Sequence, residues 1–434
     1  MGAAVGVAGG WQAKLASAMR ADEKRRHLIV LWMPGGPSQM DTFDMKPGHA
    51  NGGEFKEIAT KVPGMRFSEH LPKLAAVADH LALVRSMQTK EGDHSRGTFL
   101  VRTGQRPGVP VKVPSIPAAL AKELTAGSSS IPDYVSILQN SFINPAPFGA
   151  GFLWAAREPL TVGSAQPQQP GAIPNSPAAG SSDEPADLRV DNLLPPQDLN
   201  ERRLARRKKY WDMLQGSYDA SGRGGPSAVH DTVYRRAMQL AESELISAFD
   251  LKQESDEARR SYGVSPFGQG CLLARRLIEH GVPVVEVALS EGPGGLSWDT
   301  HQNNFDGVKR LSAQLDTAWS RLISDLNERG LLESTTIAWM GEFGRTPEIN
   351  PNAGRDHFPN AWSCVLAGAG IQGGAIIGKT STDGKEVSDR PVSVPELLAT
   401  VCSAVGVDPK RENISDERRP IKLAEGEPIK ELLA

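Results

Sequence analysis

Asp299 and His301, then Glu342, then Asp356 and His357 follow one another in the last third of this 434-residue chain. Carboxylates and imidazoles are the side chains that hold divalent metals such as zinc. Each group lies beside an apolar run or a glycine turn: 292–295 precedes Asp299, 335–340 precedes Glu342, and Gly354 precedes Asp356. Placed at strand ends of an open α/β sheet, they would converge where such sheets bind ligands. Metal-dependent hydrolysis is the chemistry they suit. Taken alone, Asp299 and His301 read better as a residue capping the next helix with a histidine packed beneath it. Arg345 and Arg355 stand close by, with forked guanidinium groups that match anionic oxygens. Their alternative role is an arginine–carboxylate lattice bracing the loop.

The N-terminal half offers a second set. Pro34-Gly35-Gly36-Pro37-Ser38 follows the first apolar run, with Asp41 and Asp44 shortly after. Glycines there could let backbone N–H groups approach an anion, or could simply form a turn. His94, in Asp93-His94-Ser95-Arg96-Gly97-Thr98, could be a ligand, a proton carrier or neither.

Short apolar runs at 27–33, 81–84, 134–138, 282–289, 335–340 and 363–367 read as buried strands. Between them lie helical patterns. One carries Val308, Leu311, Leu315, Ala318, Trp319, Leu322, Ile323 and Leu326 on a single stripe, with Gly330 closing it. Another covers 272–278 and stops before Gly281. Repeated helix-then-strand order predicts an α/β fold with a doubly wound, mostly parallel sheet.

Hydrophobic residues at 39% and charged residues at 23% allow a sizeable core and exclude global disorder. A net charge of -3 gives no broad field for nucleic acid, and no nucleic-acid partner is expected. The basic run at 202–211 reads as a solvated helix face. No stretch reaches the ~20 apolar residues of a membrane span. The three cysteines form no metal-type cluster, and Cys364 and Cys402 lie in apolar runs that suggest burial. Residues 1–25 read as a truncated export signal or a flexible tail. Residues 26–434 read as one α/β domain, with a Pro/Gly/Ser-rich, loop-rich or disordered insertion at about 161–197.

The stretches 27–46, with Met33-Pro34-Gly35-Gly36-Pro37-Ser38, and 339–347, Trp-Met-Gly-Glu-Phe-Gly-Arg-Thr-Pro, resemble a bacterial family labelled domain of unknown function 1501. So does 354–358, and the resemblance runs from about Arg26 to the C-terminus. That family is sulfatase-like and grouped with the alkaline phosphatase superfamily. The resemblance implies the sheet described above and, in active members, two metal ions holding a phosphate or sulfate ester.

One ion's ligands there are an aspartate, a nearby histidine and a late histidine, which Asp299, His301 and His357 match in type and order. Glu342 matches the carboxylate of the other set, but Phe343 stands where that set has histidine. Asp41 or Asp44 would have to fold back to supply its missing aspartate, and Asp356 is a further candidate. Laying Thr103-Gly104 on the Thr-Gly that closes the superfamily's nucleophile helix brings His94 near the nucleophile position. Ser95 and Thr98 are then hydroxyl candidates. Neither Ser95 nor Cys271 lies in the Cys/Ser-x-Pro-x-Arg context of sulfatases.

The expectation is an exported, periplasmic or extracellular hydrolase of sulfate or phosphate esters. It would use one or two divalent ions, zinc or manganese, held by Asp299, His301, Glu342 and His357. Its substrate would be a small anionic ester or a sulfated glycan. The alternative is a non-catalytic protein that binds anionic glycans or scaffolds on the same fold.

Overall fold

The computed structural model describes residues 26–125, 131–163, 184–188, 201–220, 234–235, 238–240, 243–291 and 295–434. The expected export signal or tail and most of the 161–197 segment lie outside the described residues.

The central strand, β1 (His27–Trp32), is buried at all six positions. Its side chains alternate between two hydrophobic layers: Ile29 and Leu31 face one, Leu28, Val30 and Trp32 the other. A strand buried on both faces must be apolar throughout, which is why it appears in the sequence as an unbroken run.

Eight more strands complete the sheet: β2 (Leu81–Gln88), β3 (Tyr134–Ile137), β4 (Leu160–Val162), β5 (Val284–Ala288), β6 (Thr335–Met340), β9 (Trp362–Gly368), β10 (Ile376–Ile377) and β11 (Val392–Ser393). A two-stranded hairpin, β7 (Gly344–Arg345) with β8 (His357–Phe358), stands apart. The sheet order is β10-β2-β9-β6-β1-β5-β3-β4, with β11 also on β2. Among the described strands of this sheet only β9 runs antiparallel to its neighbours, β2 and β6. The expected mostly parallel sheet is therefore present.

Helices cover both faces. On one lie α4 (Pro266–Glu279) and α5 (Asn304–Glu328); all eight apolar residues of the expected α5 stripe are buried. Gly330, at φ +69°, takes the left-handed turn just past its end. The other face carries α1 (His94–Thr103), α2 (Ile116–Leu124) and α6 (Val394–Ala404). The basic run forms part of α3 (Glu201–Ala220), where Arg202, Arg206 and Arg207 are exposed. No helix of the described residues is long and apolar enough to cross a membrane. All three cysteines are buried and unpaired.

β1, β2, β5 and β6 all point the same way. Their carboxyl ends deliver four loops to one edge of the sheet, and those loops carry the candidate chemistry.

Candidate metal centre

The loop after β2 leads to His94, the first residue of α1, with Asp93 capping that helix by accepting the Arg96 N–H. The loop after β5 supplies Asp299 and His301, that after β6 supplies Glu342, and β8 begins at His357. Four groups converge on Asp299 Oδ1. His94 Nε2 lies 3.2 Å away, His301 Nε2 3.1 Å, His357 Nε2 3.3 Å and Arg345 Nη2 2.6 Å. His301 Nε2 and His357 Nε2 are 3.0 Å apart.

The opposite nitrogen of each ring is already committed. His94 Nδ1–H donates to Glu342 Oε1 at 2.6 Å, His301 Nδ1–H to Asp356 Oδ1 at 2.7 Å, and His357 Nδ1–H to the Gly92 carbonyl at 2.8 Å. An imidazole that gives its Nδ1–H to a protein acceptor presents Nε2 as a lone pair, the usual arrangement behind a metal ligand. Three lone pairs aimed at a carboxylate oxygen repel one another unless a cation lies among them.

A proton can be that cation. Burial opposes charging of His94, but its bonds with Asp299 and Glu342 outweigh the burial and push its pKa up to about 9. Burial likewise disfavours ionised Asp299, yet hydrogen bonds from His357 and His94 and the charge of Arg345 hold it well below the usual carboxylate range. A divalent metal is the other candidate cation. His94, Asp299 and His357 offer donor atoms that all lie within 4.8 Å of one another. The spacings near 3 Å resemble the ~3.3 Å between neighbouring ligands on a tetrahedral ion with ~2.0 Å bonds. His94 Nε2 is buried, with Asp299 Oδ1 3.2 Å away as the acceptor it faces. The donor set fits a metal.

The other expected residues take different places. Glu342 is wholly buried and touches His94 on the nitrogen facing away from Asp299. Arg345 and Arg355 are also wholly buried. Arg345 donates to the carbonyls of Gly35, Gly36 and Arg355 as well as to Asp299. Arg355 donates to Asp41 and to the carbonyls of Asn51, Thr346 and Pro347. These are the bonds of a bracing lattice, and neither guanidinium has a surface turned toward an incoming anion.

Asp41 does not fold back to the donors: it accepts from Arg355, Ser38 and Asn304. Asp44 is held by Lys46 and Thr380. Thr98 lines a small cleft with His94, Trp32, Asn140, Ile143, Asn144 and Phe148. The Ser95 carbonyl accepts from Asn144.

Two glycines make the convergence sterically feasible. Gly35, at φ +105°, leaves no room for a Cβ against the Asp299 backbone, and Gly354 leaves none against the His301 carbonyl. The Gly92 carbonyl was not legible as a site group, because a backbone atom carries no residue-type signal; the Gly35 N–H approaches an anionic group, the Glu342 carboxylate, at 2.9 Å. Phe343, where the superfamily pattern has an imidazole, packs its ring 5.0 Å from His94 and 4.8 Å from His357.

Among solved structures, a sulfatase from Pseudoalteromonas sp. gives a TM-score of 0.41 at 13% identity, covering 92% of this chain and 72% of that chain. The zinc complex of the C-terminal periplasmic domain of EcEptC from Escherichia coli gives 0.39 at 10%, covering 92% and 93%. A phosphonate monoester hydrolase from Silicibacter pomeroyi gives 0.35 at 12%, covering 93% and 76%. Scores of this size say nothing about activity or ligand. No curated protein matches this chain. A family profile does, from residue 25 to residue 433, and over that span the chain belongs to the family described as protein of unknown function DUF1501.

Proposed function

We propose that this chain is a metal-dependent hydrolase of sulfate or phosphate esters, with the ion held by His94, Asp299 and His357 and bordered by His301. The supporting observation is the set of three Nδ1–H groups tied to protein acceptors while three Nε2 atoms crowd one carboxylate oxygen. Mixed imidazole and carboxylate donors suit zinc or manganese. A divalent ion there supplies Lewis acidity toward an ester oxygen.

The chain's own groups divide the remaining work. Asp299 balances the positive charge, and Arg345 fixes its orientation. His301 is the most exposed imidazole of the three, so it stands between the donors and solvent. A small cleft beside His94, with Thr98 among its lining residues, borders the donors. His94 then acts as a ligand, not as the nucleophile.

Metal analysis of the purified protein, paired with assays on aryl sulfate and aryl phosphate esters, tests the proposal. The expected result is stoichiometric zinc or manganese and turnover abolished by chelator. Absence of metal together with no turnover in any metal tried would end it. A second reading, an anionic-glycan-binding protein without catalysis, is favoured by Phe343, whose ring packs against His94 and His357 where the superfamily pattern has an imidazole. Glycan binding that survives chelator, with no hydrolysis, would support that reading instead.

A further inference from the structure

We propose that Glu342 is a positioning residue for His94 and not a ligand of the ion. The inference rests on the metal-dependent reading above and deepens it.

Glu342 Oε1 accepts two hydrogen bonds, from His94 Nδ1–H at 2.6 Å and from the Gly35 N–H at 2.9 Å. Oε2 is buried with no hydrogen-bond partner. A wholly buried carboxylate must be balanced by positive charge close at hand. Arg345 is near enough to feel Glu342, but its donors are spent on Asp299 and backbone carbonyls. His94 is the imidazole that bonds Glu342 directly. The imidazole thus lies between Glu342 and the Asp299 cluster, with one nitrogen toward each. Whatever cation sits at Nε2 is felt by Glu342 through the ring.

The packing around Glu342 is close. Gly35, at φ +105°, turns its N–H onto the carboxylate. Gly97 sits under Phe343 and Glu342, where a Cβ would meet Phe343 at 3.0 Å and the Glu342 Cβ at 3.4 Å. Phe343 then flanks the His94 ring. Glu342 is held in place from three sides, and it fixes which nitrogen His94 offers. A carboxylate behind a metal-bound histidine orients the ring and raises its basicity, and its loss typically weakens metal binding 10- to 100-fold.

The test is zinc affinity of Glu342→Gln beside wild type, with the absorption spectrum of the cobalt(II)-substituted forms. Gln preserves shape and can still accept the Nδ1–H, so folding is checked by circular dichroism. The proposal expects about 10- to 100-fold weaker zinc binding and a shifted cobalt spectrum at saturating metal. Unchanged affinity with an unchanged spectrum would overturn it. Nitrogen NMR of His94 in cadmium-loaded wild type provides a measurement independent of any variant. Nδ1 protonated with Nε2 on cadmium supports the proposal, and the reverse assignment overturns it. Wild-type protein that takes up no ion fails differently: it ends the metal reading itself, and this inference with it.

Discussion

Arg355 grips Asp41 through two donors, at 2.7 Å and 3.1 Å, and neither side chain has any surface exposed. The pair joins the loop after β1 to the loop before β8, across 314 residues of sequence. It stands behind the donor cluster as scaffolding. Asp41→Ala would leave a buried guanidinium without its counter-ion, a defect that typically costs about 3–5 kcal/mol. Urea unfolding should show that loss. A change below about 1 kcal/mol would mean the pair is not essential to the loop.

The metal-free protein should be pH-sensitive in a defined direction. His94 folds with its pKa pushed up to about 9, against an unfolded value near 6.5. Its contribution to stability is therefore complete below about pH 6.5 and is lost as pH rises through about 9. The size is on the order of 3 kcal/mol. Metal uptake must displace that proton, so zinc affinity should rise with pH up to about 9 and then level off. Unfolding free energies of apo protein from about pH 6 to 10, with zinc titrations at the same points, check both trends.

Asp299→Asn removes the charge that three imidazoles and Arg345 share. Metal binding should fall by at least about 100-fold, because a carboxamide is a poor ligand and leaves the imidazoles without a counter-charge. The alkaline loss of apo stability attributed to His94 should shrink with it. Calorimetric titration of zinc and a repeat of the pH series measure these two effects.

Gly35→Ala tests the backbone that brings the loops together. At φ +105° a side chain is strained, and its Cβ would collide with the Asp299 backbone. A loss of more than about 1–3 kcal/mol is expected, with metal affinity reduced as well. Full stability and normal metal uptake in this variant would mean the loop after β1 can relax without moving Asp299.

Much of the sheet was legible because a strand buried on both faces leaves an apolar run, as in β1 and β6. The α5 stripe was legible for the same reason at helical spacing. Asp299, His301 and His357 could be named as candidate donors from their types and from the apolar runs and glycine turns beside them. His94 could be named but not assigned, since nothing in a loop histidine tells which neighbour each nitrogen will face. Arg345 and Arg355 show the same limit from the other side. Their type suggests anion binding, but whether a guanidinium points outward or inward is settled by carbonyls far away in sequence, such as those of Gly35 and Asn51. For Glu342 the strand-tip position was visible, while the intervening imidazole was not.

The Gly92 carbonyl bond to His357 has a mechanical consequence. It fastens the approach to α1 to the start of β8, so the His357 ring cannot turn unless that approach turns with it. Binding at Nε2 would consequently stiffen a segment some 265 residues distant in sequence, and protease cutting between β2 and α1 should slow when the protein is loaded with zinc.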